Sequence, residues 1–382
     1  MMRLLHIIRS LSPDHGGPAD SVSMFAAAHQ RAGNEVEVAT LDDAGDVYTA
    51  PPGCEVHPLG RGIGGYHYNP EMRRWLRANA QRFDGVIING VWQYHTLAAR
   101  HVLAGRQPYV VFAHGALDPY FRHRYPLKHL KKLVYWTLFE QKNLSLAQAV
   151  CFTSEEEMRV AAEGFPRRDF KTVVIPYGSI GPSGDKEALR QSFLAACPAV
   201  AGKNYLLFLG RLHPKKGCDI LLEAFAQAAP PELDLVMVGP DAVGLRAALE
   251  SQAARLGITQ RVHWTGALRG SPKWGALYGA EAFILPSHQE NFGIAVADAL
   301  ACGTIAAISD KVNIAGEVSR DGAAFVEPDT LDGTIRLIQR LVSLTEPERH
   351  TMRKHARDCY ERRYSLHNAA DEVYRALGLM SR

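Results

Sequence analysis

Apolar runs short enough to be buried strands alternate with longer amphipathic stretches along the whole chain, and this happens in two series. In the first, strands are expected at Arg3–Arg9, Glu35–Thr40, Gly85–Asn89, Tyr109–Ala113, Ala149–Thr153 and Thr172–Pro176, with helices between them. The helix expected over Ala19–Ala32 places Val22, Phe25, Ala26 and His29 on one face. Tyr177–Asp185 (YGSIGPSGD) breaks the pattern and reads as a linker. A second series follows, with strands at Tyr205–Leu209, Leu233–Val238, Arg261–Thr265, Ala282–Leu285, Ile305–Ile308 and Ala323–Val326, and helices that include Cys218–Ala228, Ala242–Leu256 and Ile294–Cys302. Repeated βα units imply parallel sheets covered on both faces. The expectation is an α/β chain of two Rossmann-like, doubly wound domains whose ligand sites lie at the carboxyl ends of the strands. Two such sheets facing a central cleft would provide the main site.

Several function classes are excluded early. With 382 residues, 47% hydrophobic and 22% charged, the chain has the make-up of a globular protein of two domains. Lys and Arg number 43 against 40 Asp and Glu, a net charge of +3, so no nucleic-acid partner is expected and any basic partner surface must be local. The six cysteines are scattered without a CxxC pair, which suggests neither a zinc site nor a disulfide framework and fits a reducing compartment. No stretch approaches the ~18–20 apolar residues of a membrane span, and Met1–Arg9 lacks the long apolar region of a signal peptide. A cytoplasmic protein is expected.

Four segments carry chemistry. In Phe208–Gly217 (FLGRLHPKKG) a strand ends, a glycine turns, and Arg211 and Lys216 precede a helix, an arrangement suited to a diphosphate or, more plainly, a solvated basic turn. It is not a Walker A loop. In Pro286–Leu300 a strand runs into a polar loop holding Glu290, and Asp298 lies eight residues later on a helix. The amides of Asn291, Phe292 and Gly293 would be available to an anion or hydroxyl at that helix start. Glu290 could grip sugar hydroxyls or simply complement the helix dipole, and Asp298 could be a surface acid. Gly16 and Gly17 join the first strand to the first helix, where a ligand can approach the backbone or the turn can merely be flexible. His114 and Gly115 end the strand Tyr109–Ala113, so His114 faces the expected cleft or serves as a satisfied structural histidine.

Taken in order, these segments resemble the GT-B retaining glycosyltransferases of family 4, the group 1 glycosyl transferases. The resemblance rests on Gly16-Gly17, His114-Gly115, Arg211…Lys215-Lys216-Gly217, Val238-Gly239, Thr265-Gly266, and Glu290-Asn291-Phe292-Gly293 with a second acid eight residues on, and it spans nearly the whole chain. It implies an acceptor-binding domain over residues 1–180, a donor-binding domain over 181–360, and a closing helix over 361–382 that crosses back to the first domain. It also implies catalytic roles for Glu290, His114, Arg211 and Lys216. Arg211 and Lys216 would hold the donor diphosphate, Glu290 with the Asn291, Phe292 and Gly293 amides the transferred sugar, and Gly16-Gly17 the phosphates. His114 would lie near the sugar, Gly266 near the base, and Asp298 at the ribose. The second acid is normally Glu, so Asp298 reaches one methylene less far.

The expected reaction moves a hexose from GDP-mannose or a UDP-hexose to a saccharide or lipid-linked saccharide, with retention, in bacterial surface or exopolysaccharide assembly. No cofactor is expected beyond the nucleotide sugar. No DxD-like motif lies in a suitable loop, so no metal is expected and cations supply the charge. The stretch Tyr120–Trp136 mixes Arg122, Arg124, Lys128, Lys131 and Lys132 with leucine and aromatic residues. It could lie on an anionic membrane surface, making the enzyme peripheral on the inner face, or pack its Leu/Trp face on the core. Other readings are another GT-B enzyme, such as a sugar-nucleotide epimerase or a soluble disaccharide synthase, and a non-catalytic GT-B partner.

Overall fold

The computed structural model describes residues 1–12, 17–47, 50–118, 126–165, 169–241 and 243–380, and of residues 126–128 the backbone alone. The chain divides into two units, Met1–Tyr177 with Leu366–Arg382, and Gly178–Ser365. The first break falls inside the expected linker.

The first unit is built on seven parallel strands: β1 (Arg3–Ile8), β2 (Glu35–Thr40), β3 (Glu55–Pro58), β4 (Gly85–Asn89), β5 (Tyr109–Phe112), β6 (Ala149–Phe152) and β7 (Thr172–Val174). Their order is β3-β2-β1-β4-β5-β6-β7. Leu5 and Ile7 of β1 join Val86, Ile88, Val111 and Val150 in one buried cluster, capped by Trp136 and Phe165. Residues on both faces of β1 are buried, as a sheet between two helical layers requires. The edge strand β3 escaped the sequence pattern. It is short, ends in proline and buries little, so it lacks the continuous apolar run that marks an interior strand.

The second unit has six parallel strands: β8 (Asn204–Leu209), β9 (Leu233–Val238), β10 (Val262–Gly266), β11 (Ala282–Leu285), β12 (Ala306–Ser309) and β13 (Ala324–Glu327). Their order is β10-β9-β8-β11-β12-β13. In both units the other expected strands are present, with Glu35–Thr40, Gly85–Asn89, Leu233–Val238 and Ala282–Leu285 unchanged and the ends of the rest displaced by one or two residues, where caps and turn geometry decide.

Charged and titratable groups are buried in each unit. Glu37 of β2 is 5% exposed and accepts from Arg3 at 3.0 Å, Arg82 at 2.8 Å and His57 Nε2 at 2.7 Å. Asp234 of β9 meets Lys203 at 2.8 Å and His263 Nε2 at 2.7 Å. In the first unit His6, His29 and His95 are all buried. Burial pushes His29 down to about 3, His95 to about 4 and His6 well below its ordinary value, so all three rings stay neutral at neutral pH. The last helix, Leu366–Leu377, packs on the helix Gly17–Arg31. There the Asn34 amide donates to the Tyr374 hydroxyl at 2.8 Å, and that hydroxyl lies 2.6 Å from His29 Nδ1.

Candidate active site

In the second unit the carboxyl ends of three strands are stitched together by their backbones. Gly210 N–H donates to Val238 O, Leu212 N–H to Pro240 O, and Gly239 N–H to Gly266 O, each at 2.9 Å. A β-carbon on Gly239 would lie 1.8 Å from the Gly210 carbonyl, so only glycine permits this approach. Gly266, at φ 70, ends β10 and supplies the last of these acceptors.

From this platform Arg211–Gly217 makes a short 3-10 turn, Pro214–Lys216, capped by the His213 ring, which accepts from Lys215 N–H at 3.1 Å. Gly217 then turns at φ 65 into the helix Cys218–Ala228, and a β-carbon there would lie 2.3 Å from the Pro286 carbonyl. The turn is thereby pressed against the loop after β11. His288 N–H donates to Lys215 O at 2.8 Å. The same loop is held from its other side, with Glu290 N–H on Lys311 O and Asn313 N–H on Glu290 O, both at 3.0 Å.

These restraints bring together the two residues that the sequence singled out in separate segments. The Lys216 ammonium donates to Glu290 Oε2. The two side chains are only 18% and 20% exposed. Burial, then the charge of the neighbouring Arg211, push Lys216 down to about 8, while the touching carboxylate favours the charged ammonium. Arg211 itself is exposed. The site thus has an exposed cation, a half-buried cation and a carboxylate within one loop pair. Such a set can neutralise a diphosphate and accept sugar hydroxyls.

The other expected residues divide. Asn291 Oδ1 accepts from Asn313 Nδ2 at 3.4 Å. Phe292 is buried against Tyr364, with ring centroids 5.8 Å apart, so its side chain anchors the loop. Gly293, at φ 83, precedes the helix Ile294–Ala301, which has no side-chain cap; the Val296 and Ala297 amides of its first turn donate back to Gly293 O, at 2.8 and 3.4 Å. Asp298, expected at the ribose, has both carboxylate oxygens engaged within the protein. It is buried, one oxygen takes the Ser179 hydroxyl at 2.6 Å, and the other takes the Lys273 ammonium at 3.0 Å. A shorter acid on this helix is held within the protein and ties it to Ser179, inside the segment read as a linker.

In the first unit His114 is not a free base. Its φ is 51, and both ring nitrogens are engaged, Nδ1 with the Tyr177 hydroxyl at 2.6 Å and Nε2 with Asn89 Oδ1 at 3.1 Å. Since Asn89 Oδ1 only accepts, Nε2 carries the proton and Nδ1 accepts from Tyr177. Burial pushes the ring down to about 3, so it is neutral near pH 7 and holds no imidazolium proton to give up. Glu157, absent from the sequence reading, holds the next residue: its carboxylate accepts Gly115 N–H at 2.5 Å and Thr153 N–H at 2.7 Å. Gly17 opens the first helix with nothing within 4 Å of a would-be β-carbon, and Gly16 lies outside the described residues. Among the described residues, the group with metal-ligating spacing is Glu37, Glu55 and His57, away from this chemistry, and Glu37 already faces two guanidiniums.

Two family models match: a glycosyl transferase 4-like domain over residues 16–178 and glycosyl transferases group 1 over residues 192–358. The chain belongs to the group 1 glycosyltransferases. It is 26% identical to the GDP-mannose:cellobiosyl-diphosphopolyprenol alpha-mannosyltransferase of Xanthomonas oryzae pv. oryzae, over 99% of this chain and 98% of that one. It is 27% identical to the D-inositol 3-phosphate glycosyltransferase of Saccharomonospora viridis, over 95% and 89%. Among solved structures, sucrose-phosphate synthase of Thermosynechococcus elongatus superposes with a TM-score of 0.74 at 20% identity, and HepE of Anabaena, solved with UDP and glucose, with 0.75 at 18%; both pairs are covered in full. These similarities establish the GT-B fold with its two doubly wound domains.

Proposed function

We propose that this glycosyltransferase moves a hexose from a nucleotide sugar, GDP-mannose or a UDP-hexose, to a saccharide or lipid-linked saccharide with retention of configuration. The observation that carries the reading is the Lys216–Glu290 contact beside Arg211 at the carboxyl ends of β8 and β11. The ion pair keeps both charges compensated. A donor diphosphate offers Lys216 and Arg211 a second anion and releases Glu290 for the sugar hydroxyls. As the glycosidic bond to phosphate breaks, negative charge grows on the leaving diphosphate, and preorganised cations stabilise it where a metal would otherwise serve. The acceptor attacks from the face the diphosphate leaves, and the departing phosphate takes its proton. The full-length relative acting with GDP-mannose on a diphosphopolyprenol-linked saccharide favours that donor and a role in surface or exopolysaccharide assembly.

The residue assignments give one experiment. Glu290→Gln should lower transfer by on the order of 10²–10³ while circular dichroism shows the protein still folded. Nucleoside-diphosphate affinity of the wild type should fall as pH rises through about 8, where Lys216 loses its proton. In Glu290→Gln that fall should begin at lower pH, because no carboxylate favours the ammonium. A panel of nucleotide sugars, assayed alongside, fixes the donor. Near wild-type turnover in Glu290→Gln, or an unshifted pH limb, would remove the pair from the site.

A further inference from the structure

The first unit holds a cavity of about 640 Å³ at the carboxyl ends of β1 and β2, lined by Arg9, Ser10, Ser12, Asp42, Arg61 and His67 among others. Most charges in its wall are answered locally. Asp46 accepts from Arg61 at 2.8 Å and from Asp43 N–H at 2.9 Å, and Arg61 also reaches Asp43 at 2.9 Å. Arg9 differs. It follows β1 directly, is half-buried, and has no carboxylate within ion-pair distance among the described residues. Its Nη1 lies 3.3 Å from His67 Nε2, and His67 is held at φ 53, a left-handed conformation that costs energy in a residue with a β-carbon.

A guanidinium withdrawn from water without a counter-ion is costly, and an anionic ligand recovers that cost. Its planar fork matches two oxygens of a phosphate. In the same lining, Asp42 gives one oxygen to Leu11 N–H at 2.9 Å, and its other oxygen has no hydrogen-bond partner among the described residues. A carboxylate so placed accepts a hydroxyl. The two groups together ask for a ligand with a phosphate at one end and hydroxyls at the other.

We propose that this cavity binds a saccharide phosphate, with Arg9 on the phosphate and Asp42 on a sugar hydroxyl. The inference rests on the transferase reading, in which this ligand is the phosphate-bearing end of the acceptor. The probe is glucose 1-phosphate, titrated calorimetrically into protein saturated with GDP or UDP so that the diphosphate site is filled. Wild type should bind it about tenfold more tightly than methyl glucoside. Arg9→Gln should lose about tenfold, and Arg9→Lys, which keeps charge without the fork, about threefold. Nucleotide affinity should stay within about twofold throughout, since these cations serve separate sites. Circular dichroism checks that Arg9→Gln folds; if it does not, Arg9→Lys decides. Absent binding of glucose 1-phosphate, or equal affinity in wild type and the Arg9 variants, would overturn the proposal. Failure of both nucleotides to bind would instead strike the donor reading, and Arg9 dependence would still decide the cavity.

Discussion

Strand β2 of the first unit and strand β9 of the second each bury one carboxylate, and each answers it from the same two directions. Glu37 pairs in register with Leu5, and its cation, Arg3, lies two residues before that partner; Asp234 pairs with Tyr205, and Lys203 lies two before. On the other side, His57 pairs with Ala39 and His263 with Val236, each two residues beyond the carboxylate. One cation–carboxylate–imidazole row thus spans three neighbouring strands near the amino ends of both sheets. At the carboxyl ends the likeness stops. The second unit gathers Arg211, Lys216 and Glu290 there, while the first keeps neutral histidines beneath and Arg9 above. The shared charge lies at the amino ends, and the charge diverges at the carboxyl ends, where open α/β sheets bind their ligands.

Acid should separate the units most. His6, His29 and His95 have folded values below their unfolded 6.5. Their stability contribution is therefore complete above pH 6.5 and is lost as pH falls, when the unfolded chain takes up protons the folded one refuses. At pH 5 this costs up to about 2 kcal/mol for each ring. Hydrogen exchange read by mass spectrometry at pH 7 and pH 5 should show residues 1–177 opening first. Uniform loss of protection across both units would break the contrast.

The shared rows give a smaller effect and a sharper one. Glu37 has three cationic or imidazole donors and Asp234 has two. Glu37→Gln should cost its unit about 3 kcal/mol and Asp234→Asn about 2 kcal/mol, from the worth of hydrogen bonds to charged groups. Because two units need not unfold together, the measurement is protection within each unit rather than one melting curve. The reverse order would show that the rows are alike in register only.

The smallest expected effect concerns the surface. Leu130, Val134, Leu138 and Phe139 form an exposed apolar row on the helical stretch 126–140 of the first unit, with exposed Lys131 beside it. Trp136 of the same stretch is buried, and Lys132 lies 4.7 Å above the Trp92 ring rather than in open solvent. The exposed apolar residues of the second unit, Ile180, Val243 and Val342, stand singly. We propose that the row touches an anionic bilayer. Changing Leu130, Val134 and Leu138 to Ser should reduce sedimentation with phosphatidylglycerol vesicles by roughly tenfold; unchanged sedimentation would exclude it. Arg122 and Arg124, and the side chain of Lys128, lie outside the described residues.

Much of this architecture was legible in the sequence because interior parallel strands are continuous apolar runs, and Glu290 and Lys216 were legible because each follows such a run. What supports them was not. Lys311 and Asn313 hold Glu290 through backbone atoms, which leave no residue signature. Tyr177 and Ser179 sit in a segment that reads as a linker, yet one engages His114 and the other Asp298, partners far away in the chain. The apolar row at Leu130 illustrates a different limit. A helix with apolar residues on two faces has one periodicity, and the pattern cannot choose which face the core takes.

The helix Leu366–Leu377 has a consequence for how the protein is made. It belongs to the first unit, where Tyr374 reaches His29 and Leu377 lies so close to Gly85 that a β-carbon there would be 2.8 Å away. The ribosome therefore delivers the opening strands, then all of Gly178–Ser365, before the piece that covers the first sheet emerges. At about 5–20 residues per second that interval lasts on the order of tens of seconds. During it the second unit can close completely, while His29 and the flank of β4 wait for the last turns of the chain.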